Sequence, residues 1–243
     1  MKHEATVVDT LSSLRDAAPA GVIGNELMLE HLHPNQAGYG VIADAFYDAL
    51  HHDELDRDWP RYIDAETARL ERPLTRIEIL HGEYRVAHLL NDWPFVEQKR
   101  EYKPPAPRDP EQQIAQAWFA GSLDWIGAMN AGLAHAQDRG DYQEAARIAM
   151  SMADAFPFEA QPQFVAGQML IRRTPPQGKQ AIPYFHRAAT LEPDNLSYLA
   201  TLAQAYVING YDDAARDTAR RLQQLAPAHP LLRQLRQYLD SKE

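Results

Sequence analysis

Gly140-Asp141-Tyr142-Gln143-Glu144-Ala145 and Gly210-Tyr211-Asp212-Asp213-Ala214-Ala215 are the stretches on which the fold turns. In each, a glycine placed to end one helix is followed within two residues by an aspartate placed to begin the next. Each predicts a tight turn between two helices. Twelve residues beyond Ala145 and Ala215 lie Pro157 and Pro227, and the same interval links Ala181 to Pro193. Successive prolines are 36 and 34 residues apart, close to the ~34-residue length of a helix-turn-helix repeat. The longer interval has a local source: the middle turn reads Thr174-Pro175-Pro176-Gln177-Gly178-Lys179 and carries two extra residues.

Working outward, Ala166-Gly167-x-x-Leu170 and Leu202-Ala203-x-x-Tyr206 fall on first helices and Ala181-x-x-x-Phe185 on a second. Small residues at these positions let paired helices approach, and large ones fill the remaining gap. These segments resemble the tetratricopeptide-repeat family over about 120 residues. The first repeat departs from the pattern, with Ala149 where an aromatic is usual and Gly132-Leu133 in reversed order. After Pro227, His229 to Leu239 sets leucines on one side and arginines and glutamines on the other, the pattern of a capping helix. The resemblance implies a groove that holds a protein or peptide partner. A stack of this kind also serves simply to brace a neighbouring domain, and acidic residues such as Asp124, Asp138, Asp141 and Glu144 read either as a selector of basic peptides or as a solvated helix face.

Bulk properties narrow the function classes. The 243 residues are 45% hydrophobic, enough to bury a core. With 24 basic and 34 acidic side chains the net charge is -10, which repels nucleic-acid phosphate and anionic lipid. There is no cysteine, which excludes disulfides, thiolate metal sites and cysteine nucleophiles. No apolar run approaches the ~20 residues that span a bilayer, so the expectation is a chain soluble as written, its compartment undetermined. No cofactor is expected. His31, His33, His51, His52 and Asp53 have no recurrent metal-ligand spacing, so no metal is assigned.

The first fifty residues carry a second signal. Ala5-Thr6-Val7-Val8-Asp9 predicts a short strand, and Val41 to Leu50 an amphipathic helix. The loop between contains Glu30-His31-Leu32-His33-Pro34-Asn35 and then Gly38-Tyr39. This block resembles the last conserved segment of the SGNH/GDSL hydrolase family over some 45 residues. The resemblance implies that Glu30 holds the tautomer of His33, which acts as general base toward a serine. Glutamate replaces the more usual aspartate. The family's Gly-Asp-Ser nucleophile and its oxyanion donors are missing: Gly121-Ser122-Leu123 lacks the aspartate and follows the histidine, and Gly24-Asn25 fits a local turn better. The chain is therefore expected to be the inert C-terminal part of a larger hydrolase, or else a module in which Glu30 and His33 merely pair within a loop.

Between these parts, Asp58-Trp59-Pro60-Arg61-Tyr62 predicts a turn, and Thr75 to Leu90 a helix with Ile77, Leu80, Tyr84 and Ala87 on one side, stopped by Trp93-Pro94-Phe95. Lys103 to Pro110 is proline-rich and reads as a linker. Trp118 and Trp125 are expected to cover the open end of the first repeat. The full expectation is a mainly α protein in three parts. Residues 1–52 form a strand-loop-helix remnant of an α/β domain, 53–110 a helical connector, and 111–243 a solenoid of about three repeats plus a cap.

Overall fold

In the computed structural model, residues 7–52 and 62–240 are described, and they form two compact units, Met1–Arg72 and Pro73–Glu243. Among the described residues the regular structure is twelve α-helices and one short 3-10 turn.

The first unit opens differently from the expected strand. Ala5 and Thr6 lie outside the described residues, while Val7 to Asp9 form no strand and Val7 is 87% exposed. Asp9 instead caps helix α1, Thr10–Ala17, its carboxylate accepting the Ser12 N–H at 3.0 Å. β-Branched residues hold a strand only against a partner strand and a packed face, and none is present here among the described residues. The nearest approach to sheet structure is an isolated bridge, Met28 to Pro34, which closes the following loop. Helix α2, Gln36–His52, begins five residues before the predicted Val41. Asn35 Oδ1 accepts from the N–H groups of Ala37 at 2.9 Å and Gly38 at 3.1 Å, which is the capping interaction that starts a helix. Gly38 is buried against the Leu27 carbonyl, where a Cβ would collide. Helix α3, Ala65–Glu71, is joined to α2 through Arg69 and Asp44 at 3.3 Å. Just before it, the Tyr62 hydroxyl donates to Asp48 at 2.9 Å. The predicted turn at Asp58 to Arg61 lies outside the described residues.

The second unit is a helical-hairpin repeat array. It starts with α4, Arg76–Leu89, and α5, Pro110–Phe119. The paired helices of the repeats follow: α6, Trp125–Asp138, with α7, Tyr142–Ala155; α8, Ala160–Arg172, with α9, Gly178–Leu191; and α10, Leu196–Ile208, with α11, Asp212–Leu225. Helix α12, Leu231–Asp240, closes the far end.

Both deciding turns form as read. Gly140 and Gly210 have φ of 69° and 76°, a region in which a side chain is strained. Each glycine N–H bonds back to Gln137 or Val207, and the next residue's N–H to Ala136 or Tyr206, so four otherwise orphaned carbonyls are satisfied. Asp141 then caps α7 by accepting the Glu144 N–H at 3.1 Å.

The packing follows the small-large pattern. Ala145, Ala181 and Ala215, the residues that revealed the period, all have no exposed surface. A Cβ on Gly167 would lie 2.6 Å from the Phe185 ring, so α8 and α9 meet across that ring with no space to spare. Gly132 has a different neighbour. Its missing side chain is replaced by the tip of Ile77 from α4, which sits beside Ile148 of α7. The reversed Gly132-Leu133 order therefore makes a socket for α4. At the other end, Leu231, Leu232, Leu235 and Leu239 of α12 are buried while Arg233 and Arg236 face solvent.

Candidate functional site

Three places carry functional side chains. The first is the loop of Glu30 and His33, which the bridge at Met28 and Pro34 closes so that the two side chains meet. Hydrogen bonds from Leu29 N–H to the His33 carbonyl (2.8 Å) and from Asn35 N–H to the Leu27 carbonyl (2.9 Å) hold its ends. Glu30 accepts the backbone N–H groups of Leu32 at 2.8 Å and His33 at 2.9 Å. The His33 ring Nδ1 contacts the same carboxylate, and His31 Nδ1 reaches its other oxygen at 2.9 Å. Burial pushes the Glu30 carboxyl upward, but hydrogen bonds from the His33 ring and the two N–H groups outweigh it and hold the group below its ordinary range. The Glu30 side chain is 7% exposed against 61% for His33. The contact is made through Nδ1, which leaves Nε2 as the ring nitrogen turned away from the carboxylate. Sequence reasoning named this pair but did not foresee His31 on the same carboxylate.

The remaining candidates of the hydrolase resemblance lie in turns. Gly24 accepts from the N–H groups of Leu27 and Met28, and Gly121-Ser122 ends α5 by bonding to the carbonyls of Trp118 and Ala117. Among the described residues, no group of three or more His, Asp or Glu side chains is arranged to hold a metal ion.

The second place is the junction of α4 with the first repeat, where Trp118 and Trp125 were expected and Thr75, Arg76 and Glu78 were not. Thr75 and Glu78 form a reciprocal cap at the start of α4. Glu78 also accepts the Trp125 indole N–H at 2.9 Å and lies 3.5 Å from the Ser151 hydroxyl. Arg76 bridges Asp109 at 2.7 Å and Glu111, which ties the end of the proline-rich segment to α4. The Arg76 guanidinium holds the Asp109 carboxyl at about 2. Trp118 stacks on His81 with ring centroids 3.6 Å apart. Beside this junction an open cleft of about 670 Å³ is lined by Arg85, Val86, His88, Leu89, Asp92 and Phe119. Burial and the neighbouring Arg85 lower the proton affinity of His81.

The third place is the outward face of the first helices. The Gln137 amide lies 3.4 Å from the Met169 sulfur, Phe164 and Tyr198 rings are 4.6 Å apart, and the Tyr198 hydroxyl donates to Gln161 at 3.0 Å. These contacts set α6, α8 and α10 side by side. Their unburied stripe runs from Asn130 and Ala134 through Gln161 and Gln168 to Thr201, Gln204 and Ile208.

A helical-hairpin repeat array of this kind belongs to the class of solenoid proteins, whose stacked units leave one long face open. Compared with known proteins, the chain matches no family model and no curated sequence. No described helix is long and apolar enough to cross a membrane.

Proposed function

We propose that this chain is a protein-interaction module built on tetratricopeptide-type repeats, catalytically inert as it stands, which holds a protein or peptide on the face of α6, α8 and α10. One observation carries this reading: three hairpins in succession set their first helices side by side, and among the described residues Asn130, Ala134, Gln161 and Gln204 are exposed along them. The proline period, the buried alanines and the leucine-lined cap support it. A synthetic peptide array probed with the labelled chain tests it. Binding should fall by about tenfold or more when a bulky charge is placed on the face by Asn130→Arg. Gln223→Arg, on the outer side of α11, should leave binding unchanged. Equal loss in both variants would remove the face from the interaction.

A second reading has its own support: the chain as the C-terminal part of an SGNH/GDSL-type ester hydrolase with a repeat tail. The Glu30–His33 contact is made through Nδ1, the ring nitrogen by which a carboxylate orients a histidine base. In addition, Tyr39, Phe46 and Leu50 form an exposed apolar stripe along α2. Under the first reading, the purified chain does not turn over a chromogenic ester above the buffer rate. Turnover that disappears in His33→Ala would overturn inertness and assign the pair a catalytic role.

A further inference from the structure

We propose that the partner held on the first-helix face is an extended peptide segment without charged side chains, bound through its main chain; this rests on the interaction-module reading and specifies its ligand. The charge distribution carries the inference. Across their 40 residues, α6, α8 and α10 carry two charged side chains, Asp138 and Arg172, whereas the 42 residues of α7, α9 and α11 carry eleven. Both exceptions lie at the C-terminal ends of their helices, and the Arg172 guanidinium sits over the Tyr142 ring, 5.7 Å from its centroid. Six of these eleven charges pair within their own second helix, Arg147 with Glu144, Arg216 with Asp213 and Arg220 with Asp217. The array thus segregates its charge to one side in a chain of net charge -10.

What the first-helix face offers instead is amide and hydroxyl groups. The side chains of Asn130, Gln168 and Gln204 face outward or half outward and have no side-chain hydrogen bond among the described residues. Gln161 has its oxygen occupied by Tyr198, which leaves its NH₂ group for a ligand. A side-chain amide presents a donor and an acceptor together, the complement of a peptide unit's carbonyl and N–H. A charged side chain laid on this face would lose hydration and gain no opposite charge. Ile171 and Ile208, 42% and 80% exposed, add apolar contact at the C-terminal ends of α8 and α10. Of the acidic residues considered as a selector of basic peptides, Asp124 caps α6 and Asp141 and Glu144 belong to the α7 turn and cap, which leaves Asp138 alone on a first helix, as its last residue.

The experiment is fluorescence anisotropy of the full chain with three labelled random-peptide pools: one of uncharged residues only, one enriched in lysine and arginine, one enriched in aspartate and glutamate. The uncharged pool should bind best. Its affinity should change less than about twofold between about 50 mM and about 500 mM NaCl, since no ion pairs are screened. Gln168→Ala combined with Gln204→Ala should weaken it about tenfold, with helicity checked by circular dichroism. Arg220→Ala on α11 should leave it unchanged. Preference for a charged pool, with binding that collapses in salt, would overturn the ligand chemistry while leaving the interaction module standing. Absence of binding by every pool would overturn the interaction module itself.

Discussion

Glu30 shows what a single carboxylate does when its partners are local. It gathers two backbone N–H groups and the rings of His31 and His33 within three residues. Because its proton affinity in the folded loop is below the ordinary value, the unfolded chain binds a proton more readily in the acid range. The loop is therefore fully supported above the ordinary carboxylate pKa of 4.5 and loses that support as pH falls through the lower folded value. NMR of the His33 ring should show its contact with Glu30 released in this acid window, and Glu30→Gln should abolish the acid transition. An unchanged transition in the variant would assign it to another group. The pair was legible in the sequence because acid and base stand three residues apart. Glu78 was not, although it collects Thr75, Trp125 and Ser151, because Trp125 lies 47 residues away and Ser151 lies 73 away. A spacing pattern records local chemistry and is silent about partners that only the tertiary fold delivers.

At the level of elements, what could be read depended on whether an element carried its own instructions. Helix ends marked by Gly140, Asp141 and Gly210 were readable because the cap residues lie in the turn itself. The predicted strand at Ala5 to Asp9 failed in its described part because a strand needs a partner and a helix cap does not. The start of α2 was misplaced because Asn35 was read as part of a catalytic loop and not as a cap. The Gly132-Leu133 reversal looked like a weak repeat, yet Gly132 accommodates the tip of Ile77. Gly132→Ala should cost about 1–3 kcal/mol by overpacking, measured by urea unfolding. Pairing it with Ile77→Val, which removes the colliding methyl, should recover a large part of that loss, giving a coupling of about 1 kcal/mol in a double-mutant cycle. Additive losses would show that the two residues do not share the space.

For the whole molecule, stacking without long-range closure has its own signature. Each hairpin of the array touches its neighbours, so stability spreads along the chain from contact to contact. Leu235, 3% exposed on α12, should cost about 2–4 kcal/mol when replaced by alanine. Hydrogen exchange should then rise first in α10 and α11 and last in α6. A uniform rise from α6 to α12 would mean that the array unfolds as one block. The period of the array was visible from prolines and alanines alone, because repetition averages over local irregularities. The charge-poor first-helix face was not: it appears only when each residue is assigned to a first or a second helix and to an inner or outer side. The middle turn has a practical corollary. Thr174, Pro175 and Pro176 are exposed between α8 and α9, and the two additional residues there leave Ala181 as fully buried as Ala145 and Ala215. Length at that corner is thus uncoupled from the register of the helices, which makes it a port where a reporter loop or an affinity tag can be spliced in while the first-helix face keeps its geometry.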